Sequence, residues 1–174
     1  RRSQAVRMLI DAFLPEGITE IAVDSIFMMP QLGLLSTIHP KAAVEVFEKD
    51  CLIRLGTCVA PVGSQKENSI ILEYNIHYDN DILSGKLMAG EMKLLKIPYQ
   101  KVKANFIPGK GLDIGMGINE HADIDITGGV VGIILDGRGR NPFILPNNFN
   151  ARIESLLKWS NEVEEYPDEE SDNV

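Results

Sequence analysis

The chain has 174 residues, of which 44% are hydrophobic and 24% charged, values ordinary for one well-buried globular domain. The net charge is −8, but seven acids follow Lys158 with no further base, so the rest of the chain is nearly neutral. A neutral body lacks the basic face that nucleic-acid binding needs, and no apolar stretch reaches the roughly 20 residues of a membrane span. We therefore expect neither nucleic acid nor a membrane as a partner.

Residues 1–50 are predicted to form a short α/β segment. Apolar residues at helical spacing indicate a first helix, and a strand follows over residues 18–25. A loop containing Met28 and Met29 then leads to a second helix that begins near Pro40. Methionines beside a proline fill an irregular core more often than they form a partner-binding surface. Met28 and Met29 are the candidate contact residues if the second interpretation holds.

From residue 51 the hydrophobic period changes to two, and turn residues recur about every ten positions. This pattern is typical of an antiparallel β-sandwich or barrel, which we expect over about residues 51–146. The predicted strands cover residues 52–59, 70–78, 86–98, 101–107, 122–126, 130–135 and 143–145. The predicted fold class is therefore α+β, with a mainly antiparallel β-rich domain after the α/β segment.

A closing helix is predicted to begin at Asn148 or Asn150 and to complete a β-rich domain over residues 51–160. Its apolar residues are available for docking on that domain: Ile153, Leu156, Leu157 and Trp159. Residues 161–174 read as an acidic, disordered tail. We expect the residues after about Val163 to be dispensable for folding, because they offer too little apolar surface to offset the entropy of ordering them.

The residue types give little sign of catalysis. Cys51 and Cys58 are too few for a disulfide framework or a zinc site, and buried free thiols fit a reducing cytoplasm. The histidines lie in unrelated segments without metal-ligand spacing, so no metal site is expected. No serine lies in a Gly-x-Ser-x-Gly elbow, and neither cysteine has a histidine close in sequence. We assign no catalytic residue, although an enzyme site completed by upstream sequence stays open.

Two glycine-rich stretches are candidates for anion binding. Residues 109–117 contain Lys110 and could cradle a phosphate, but no helix follows them, so hairpin turns are the favoured interpretation. Asp136, Arg138 and Arg140 are the candidate ligand-binding residues, because two arginines can fork onto a phosphate or carboxylate.

Asp-Gly is also the favoured pair for a tight hairpin turn, and Asp136 could simply pair with one of the arginines. We therefore predict that residues 128–140 form a structural hairpin at the centre of the β-rich domain. Its apolar run, which includes Ile134, suits a strand covered on both faces. Arg138 and Arg140 are expected on the outer side of the turn, where each contributes little to stability.

Three segments resemble one protein family. Residues 9–19, residues 23–30 (Val-Asp-Ser-Ile-Phe-Met-Met-Pro) with the following Leu32-Gly33 pair, and residues 128–140 are similar to late segments of the glutamate mutase accessory proteins. That family belongs to the sugar kinase, heat-shock chaperone and actin (ASKHA) superfamily of ATPases. The resemblance implies a protein that supports, and reactivates, an adenosylcobalamin-dependent mutase.

The resemblance further implies that the chain is the C-terminal portion of such an accessory ATPase. The nucleotide loops should lie before residue 1, so we expect no cofactor in this portion and ATP only in the full-length parent. The preferred function is a non-catalytic module for assembly or for contact with the mutase or another protein, with a homo-oligomer also compatible. The alternative is a small-ligand-binding β-barrel.

Overall fold

The computed structural model describes residues 1–66, 68–140 and 147–164. The helices are α1 (Arg2–Phe13), α2 (Met29–Ser36), α3 (Pro40–Val46) with a π-helical turn (Phe47–Cys51), and α4 (Phe149–Glu162). The strands are β1 (Gly17–Asp24), β2 (Leu52–Ala60), β3 (Val62–Gly63), β4 (Ile70–Tyr78), β5 (Asp81–Met88), β6 (Met92–Leu95), β7 (Lys101–Pro108), β8 (Leu112–Asp113), β9 (Ala122–Thr127) and β10 (Gly132–Asp136). The predicted α+β class is confirmed.

The strands form two four-stranded sheets, so of the two predicted architectures the described residues adopt the sandwich. One sheet has the order β1-β2-β10-β6 and the other β5-β4-β7-β9, while β3 and β8 pair separately. All pairings are antiparallel except that of β10 with β2, which is parallel. Because β1 pairs with β2 along its whole length, the predicted α/β segment and the predicted β-rich domain share one sheet.

Strand β10 lies at the centre of a three-layer structure. Its side chains alternate, so Ile133 and Leu135 pack between the sheets while Ile134 packs in a second core with α1 and α4. All three are fully buried, which confirms the prediction of a strand covered on both faces. The two sheets and the helix layer thus meet along the strand that ends at Asp136.

Local sequence signals account for several element ends. Asp79 has a φ of 52° in the two-residue turn that joins β4 to β5, a conformation that Asp tolerates and that such hairpins require. The side chain of Asn148 caps α4 by accepting from the backbone N–H groups of Asn150 at 2.9 Å and Ala151 at 3.3 Å. The predicted start of the closing helix is therefore confirmed.

Several sequence-based expectations about the elements are wrong. Residues 29–36, predicted as loop, form α2, because Pro30 lies in its first turn, where a missing N–H costs nothing. The strand predicted over 86–98 is two strands, β5 and β6, separated by a turn with Gly90 at a φ of 82°. Residues 128–140 form no hairpin, since β10 pairs with β2 and β6, which are distant in sequence.

Another concerns the closing helix. Trp159 docks as expected, but the other three apolar residues named for docking stay 38–57% exposed: Ile153, Leu156 and Leu157. The predicted tail also begins too early, because α4 continues to Glu162 and Val163 is fully buried in the helix-side core. The predicted strand 143–145 and the tail beyond residue 164 lie outside the described residues.

Candidate functional site

The predicted ligand-binding residues lie together in a largely buried group that we call the Asp136 cluster, in which only the side chain of Asp11 is exposed, at 36%. Its members are Arg7, Asp11, Asp136, Arg138 and Arg140. Alternation along β10 puts Asp136 on the same, helix-covered face as Ile134, and Arg7 and Asp11 lie one turn apart on α1. The prediction that the two arginines emerge on the outer side is therefore wrong, since Arg138 is 5% and Arg140 8% exposed.

The carboxylate of Asp136 is saturated by hydrogen bonds from the two arginines. Its Oδ1 accepts from the backbone N–H of Arg138 at 3.1 Å and from Nε at 2.9 Å. Its Oδ2 accepts from Nη2 of Arg138 at 2.8 Å and from Nη1 of Arg140 at 2.9 Å. These four bonds use the roughly four lone-pair sites that a carboxylate offers.

The same arginines tie β10 to α1. Nη1 of Arg138 lies 2.8 Å from Oδ1 of Asp11, whose Oδ2 accepts from Nε of Arg7 at 2.8 Å. Nε of Arg140 donates to the backbone carbonyl of Pro15, just after α1, at 2.5 Å. The two arginines thus hold the end of α1 and the connection that follows it against β10.

Trp159 of α4 completes the cluster from the other helix. The guanidinium carbons of Arg138 and Arg7 lie 5.1 and 5.7 Å from the centroid of its ring, within the range of a cation–π contact. Its indole N–H donates to the carbonyl of Gly90 at 2.8 Å. The cluster therefore holds both helices against the first sheet.

Burial and the neighbouring arginines shift the pKa of Asp136 in opposite directions. Burial alone would raise the pKa of Asp136, but the hydrogen bonds and charge of Arg138, with the charge of Arg140, hold that pKa below its ordinary value of 3.8. Burial and the nearby charge of Asp136 raise the pKa of the Cys58 thiol to about 12, only partly offset by Arg140 and Arg138. At neutral pH the carboxylate is ionised and the thiol is protonated and unreactive.

This geometry favours a structural ion-pair network over a ligand site at Asp136, because the carboxylate oxygens already accept hydrogen bonds from the two arginines. Nη1 of Arg7 has no hydrogen-bond acceptor among the described residues. A cavity of about 650 Å³ lies elsewhere, between the start of α1 and the β6–β7 connection. Arg1, Arg2 and Lys96 are among its lining residues, and none of the three predicted ligand-binding residues is.

The glycine-rich loop of residues 109–117 satisfies its own backbone. Oδ1 of Asp113 accepts from the N–H groups of Gly115 at 2.6 Å and Gly117 at 3.0 Å, and these bonds lower the pKa of that carboxyl. Oδ1 of Asn119 accepts from the N–H of Gly111 at 2.6 Å. Three amides of the loop are therefore bonded to side chains of the loop or next to it, which agrees with the favoured turn interpretation.

The second predicted site lies on residues 25–51, which we call the arm. It connects Asp24 of β1 to Leu52 of β2, two residues that pair with each other in the sheet. At its base, the backbone N–H and the hydroxyl of Ser25 both donate to the carbonyl of Cys51 at 2.8 Å. The arm is thus a helical excursion that leaves and re-enters the first sheet at one point.

The arm buries little of its own apolar surface. Its buried side chains are Leu32, Ala43 and Cys51. Eight large apolar side chains, which we call the apolar arm surface, are 37–84% exposed: Ile26, Phe27, Met29, Leu34, Leu35, Ile38, Val44 and Val46. Of the two predicted contact residues, Met29 belongs to this surface and Met28 is half-buried.

Of the eight residues of this surface, sequence reasoning found only Met29. The loop prediction for residues 29–36 hid α2, and with it the helical positions of Leu34 and Leu35. The available signal was the density of apolar residues from Ile26 to Leu35, which is higher than an exposed loop needs.

Among the described residues no group of histidine, cysteine and carboxylate side chains is arranged to hold a metal ion. No described helix is both long and apolar enough to cross a membrane. Among known proteins, no family model, no curated protein and no solved structure matches this chain.

Proposed function

We propose that the chain is a non-catalytic module that acts by protein contact through the apolar arm surface. The observation that carries this proposal is the group of eight exposed apolar side chains on a segment with only three buried ones. Isolated exposed apolar residues are normal on a protein surface, but a dense group of them marks an interaction site.

The helix α2 strengthens the proposal, because its sequence Met-Pro-Gln-Leu-Gly-Leu-Leu-Ser is apolar around most of its circumference. A helix of that kind is typically buried against other elements. Here only Leu32 is buried, while Leu34 is 73% exposed. The arm thus has the composition of an interior element and the exposure of a surface one.

The identity of the larger protein rests on the sequence resemblance. By that resemblance the module belongs to an accessory ATPase of an adenosylcobalamin-dependent mutase, acts in the cytoplasm, and has the mutase as a candidate partner. The motif of residues 128–140 supports a structural role within the module, because it builds β10 and the Asp136 cluster.

Calorimetric titration of the chain with the glutamate mutase of the same organism tests this proposal. We expect binding in the micromolar range, weakened at least about tenfold by Phe27→Asp. Aspartate tolerates the left-handed backbone at this position, where φ is 59°, so the variant should fold. Ile82→Asp, at a 59% exposed position on β5, is the matched control and should bind like wild type. Absence of binding by the wild-type chain would reject the assignment to a mutase accessory protein.

The second candidate function, binding of a small ligand, is favoured by the cavity of about 650 Å³ and not by Asp136. Its volume lies in the range of ligand pockets, and its wall combines basic residues with apolar ones such as Ile97 and Val130. We nevertheless expect no ATP binding, because no complete phosphate loop occurs in the sequence. Calorimetry that gives a Kd for ATP below about 10 μM would reverse the ranking of the two functions.

A further inference from the structure

We propose that a second copy of this chain covers the apolar arm surface, with two arms pairing about a twofold axis. This inference rests on the proposed function, because it uses the same surface. Neither helix of the arm packs extensively on the sheets: α2 has eight residues and α3 seven, and they pack chiefly on each other and on the π-helical turn. Helices this short are marginal in isolation and depend on tertiary packing.

The size of the surface matches what a stable dimer needs. With ordinary side-chain areas of roughly 150–200 Å², the exposed fractions of its eight residues correspond to ~800 Å². A stable interface of standard size buries about 800 Å² on each partner. The largest apolar patch of a monomeric protein is about 300–600 Å². The total apolar area that one arm exposes is therefore as large as one partner's share of a dimer interface.

The charge of the arm permits pairing with itself. Its two lysines, Lys41 and Lys49, are interspersed with three acids, Glu45, Glu48 and Asp50. A twofold interface brings the same patch of both copies together, so a surface of one charge sign would repel itself. A nearly neutral and mainly apolar arm avoids that repulsion. Two arms would bring four short helices together, an arrangement in which apolar side chains from every helix share one core.

Phe27 is the expected centre of this contact. It is the most exposed large apolar residue of the arm, at 84%, and its φ of 59° is a conformation that costs a bulky residue conformational energy. Nothing in the described monomer offsets that cost by burying the ring. Insertion of the ring into a second copy would do so, and aromatic residues dominate the energetics of protein interfaces.

Sedimentation equilibrium of the full chain from about 1 to about 100 μM tests the inference. We expect a monomer–dimer equilibrium with a Kd of about 10 μM or below. Phe27→Asp and Leu34→Asp should each raise the Kd at least about tenfold, while Ile82→Asp should leave it unchanged. Phe27→Gly keeps the backbone conformation without strain and removes the ring, so it should also weaken the dimer while circular dichroism shows an intact fold.

The outcomes separate this inference from the proposed function. A wild-type chain that stays monomeric at about 100 μM overturns the dimer, and the contact function survives if mutase binding is still lost in Phe27→Asp. A dimer that dissociates in Ile82→Asp but not in Phe27→Asp also overturns the inference, because the interface then lies elsewhere. A dimer that is sensitive to both arm variants supports it, even where the mutase does not bind.

Discussion

The Asp136 cluster and the arm depart in opposite directions from the usual distribution of residues. The cluster puts a carboxylate that is 0% exposed and two arginines beside the core, whereas the arm leaves eight large apolar side chains in contact with water. Charges are rarely buried unless they are paired, and a dense apolar patch is rarely exposed unless something covers it. The two regions therefore differ in where their partners lie.

In the cluster the partners are within the chain. Asp136 accepts four hydrogen bonds from Arg138 and Arg140, and Asp11 pairs with Arg138 from the neighbouring helix. In the arm, the described residues bury three side chains and half-bury three more, and they leave eight large apolar ones exposed. Buried charged residues that pair with each other are thus a structural feature. Exposed apolar residues that the chain does not cover are the better guide to contact with another molecule.

The largest effect is expected from removing the central carboxylate of the cluster. Asp136→Ala leaves Arg138 and Arg140 buried beside an apolar core without their shared acceptor, which should lower the free energy of unfolding by about 3–5 kcal/mol. Urea denaturation measures this change. The control is Glu73→Ala, which removes an exposed 2.8 Å pair with Lys86 and should cost less than about 1 kcal/mol.

Equal costs for these two variants would mean that the buried network adds no more than a surface ion pair. Arg138→Ala gives an independent measure, because it removes two side-chain bonds to Asp136 and the pair with Asp11. The backbone bond persists in this variant, so its cost should be about 2–4 kcal/mol. The sequence alone predicted a small cost for Arg138, and the burial of its side chain reverses that expectation.

The next prediction compares a large-to-small substitution in the core with one in the arm. Ile134→Ala opens a cavity in the helix-side core and should cost about 2–5 kcal/mol of unfolding free energy. Leu34→Ala, at a 73% exposed position of the arm, should change it by less than about 0.5 kcal/mol when measured at low protein concentration. A large cost for Leu34 under those conditions would mean that the arm is packed within the monomer.

The strands around these positions were predictable from the sequence, but their pairing was not. Period-two alternation located most strands, and the apolar run around Ile134 predicted a strand buried on both faces. The pairing of β10 with β2 was not predictable, because parallel pairing joins residues distant in sequence. The contact between Asp11 and Arg138 depends on that topology. One local signal did exist: Asp136 falls two residues after Ile134, on the same face of a fully buried strand.

Acid titration tests whether the cluster is ionised in the folded state. Burial would raise the pKa of Asp136, but the bonds from Arg138 dominate and lower it below 3.8, so the ionised form stabilises the fold above that pH. This stabilisation is lost as the pH falls from 3.8 through the folded-state pKa. Wild type should therefore lose unfolding free energy more steeply below about pH 4 than Asp136→Asn.

Asp113 is a second carboxyl whose pKa is lowered, by the N–H groups of Gly117 and Gly115. An Asp113→Asn variant should therefore remove a separate part of the same acid dependence. Parallel pH profiles for wild type and Asp136→Asn would show that Asp136 is not held ionised by the arginines.

The smallest effect is kinetic and compares the two thiols, one in each region. Burial, and then the charges of Asp24 and Asp50, raise the pKa of Cys51 at the base of the arm, and the pKa of Cys58 beside the cluster is about 12. Both thiols should therefore resist alkylation at about pH 8 until the structure around them opens. Opening of the arm exposes few buried side chains, whereas access to Cys58 requires disruption of the central sheet.

Cys51 should consequently be alkylated faster than Cys58, which mass spectrometry of the two peptides measures directly. Raising the protein concentration should slow alkylation of Cys51 if a second copy covers the arm, and Phe27→Asp should abolish that dependence. The rate at Cys58 should respond instead to Asp136→Ala, which weakens the surrounding core. Equal rates at the two thiols in wild type would mean that the arm opens only when the whole protein unfolds. The arm would then be as stable as the core around the Asp136 cluster, which contradicts the difference proposed between the two regions.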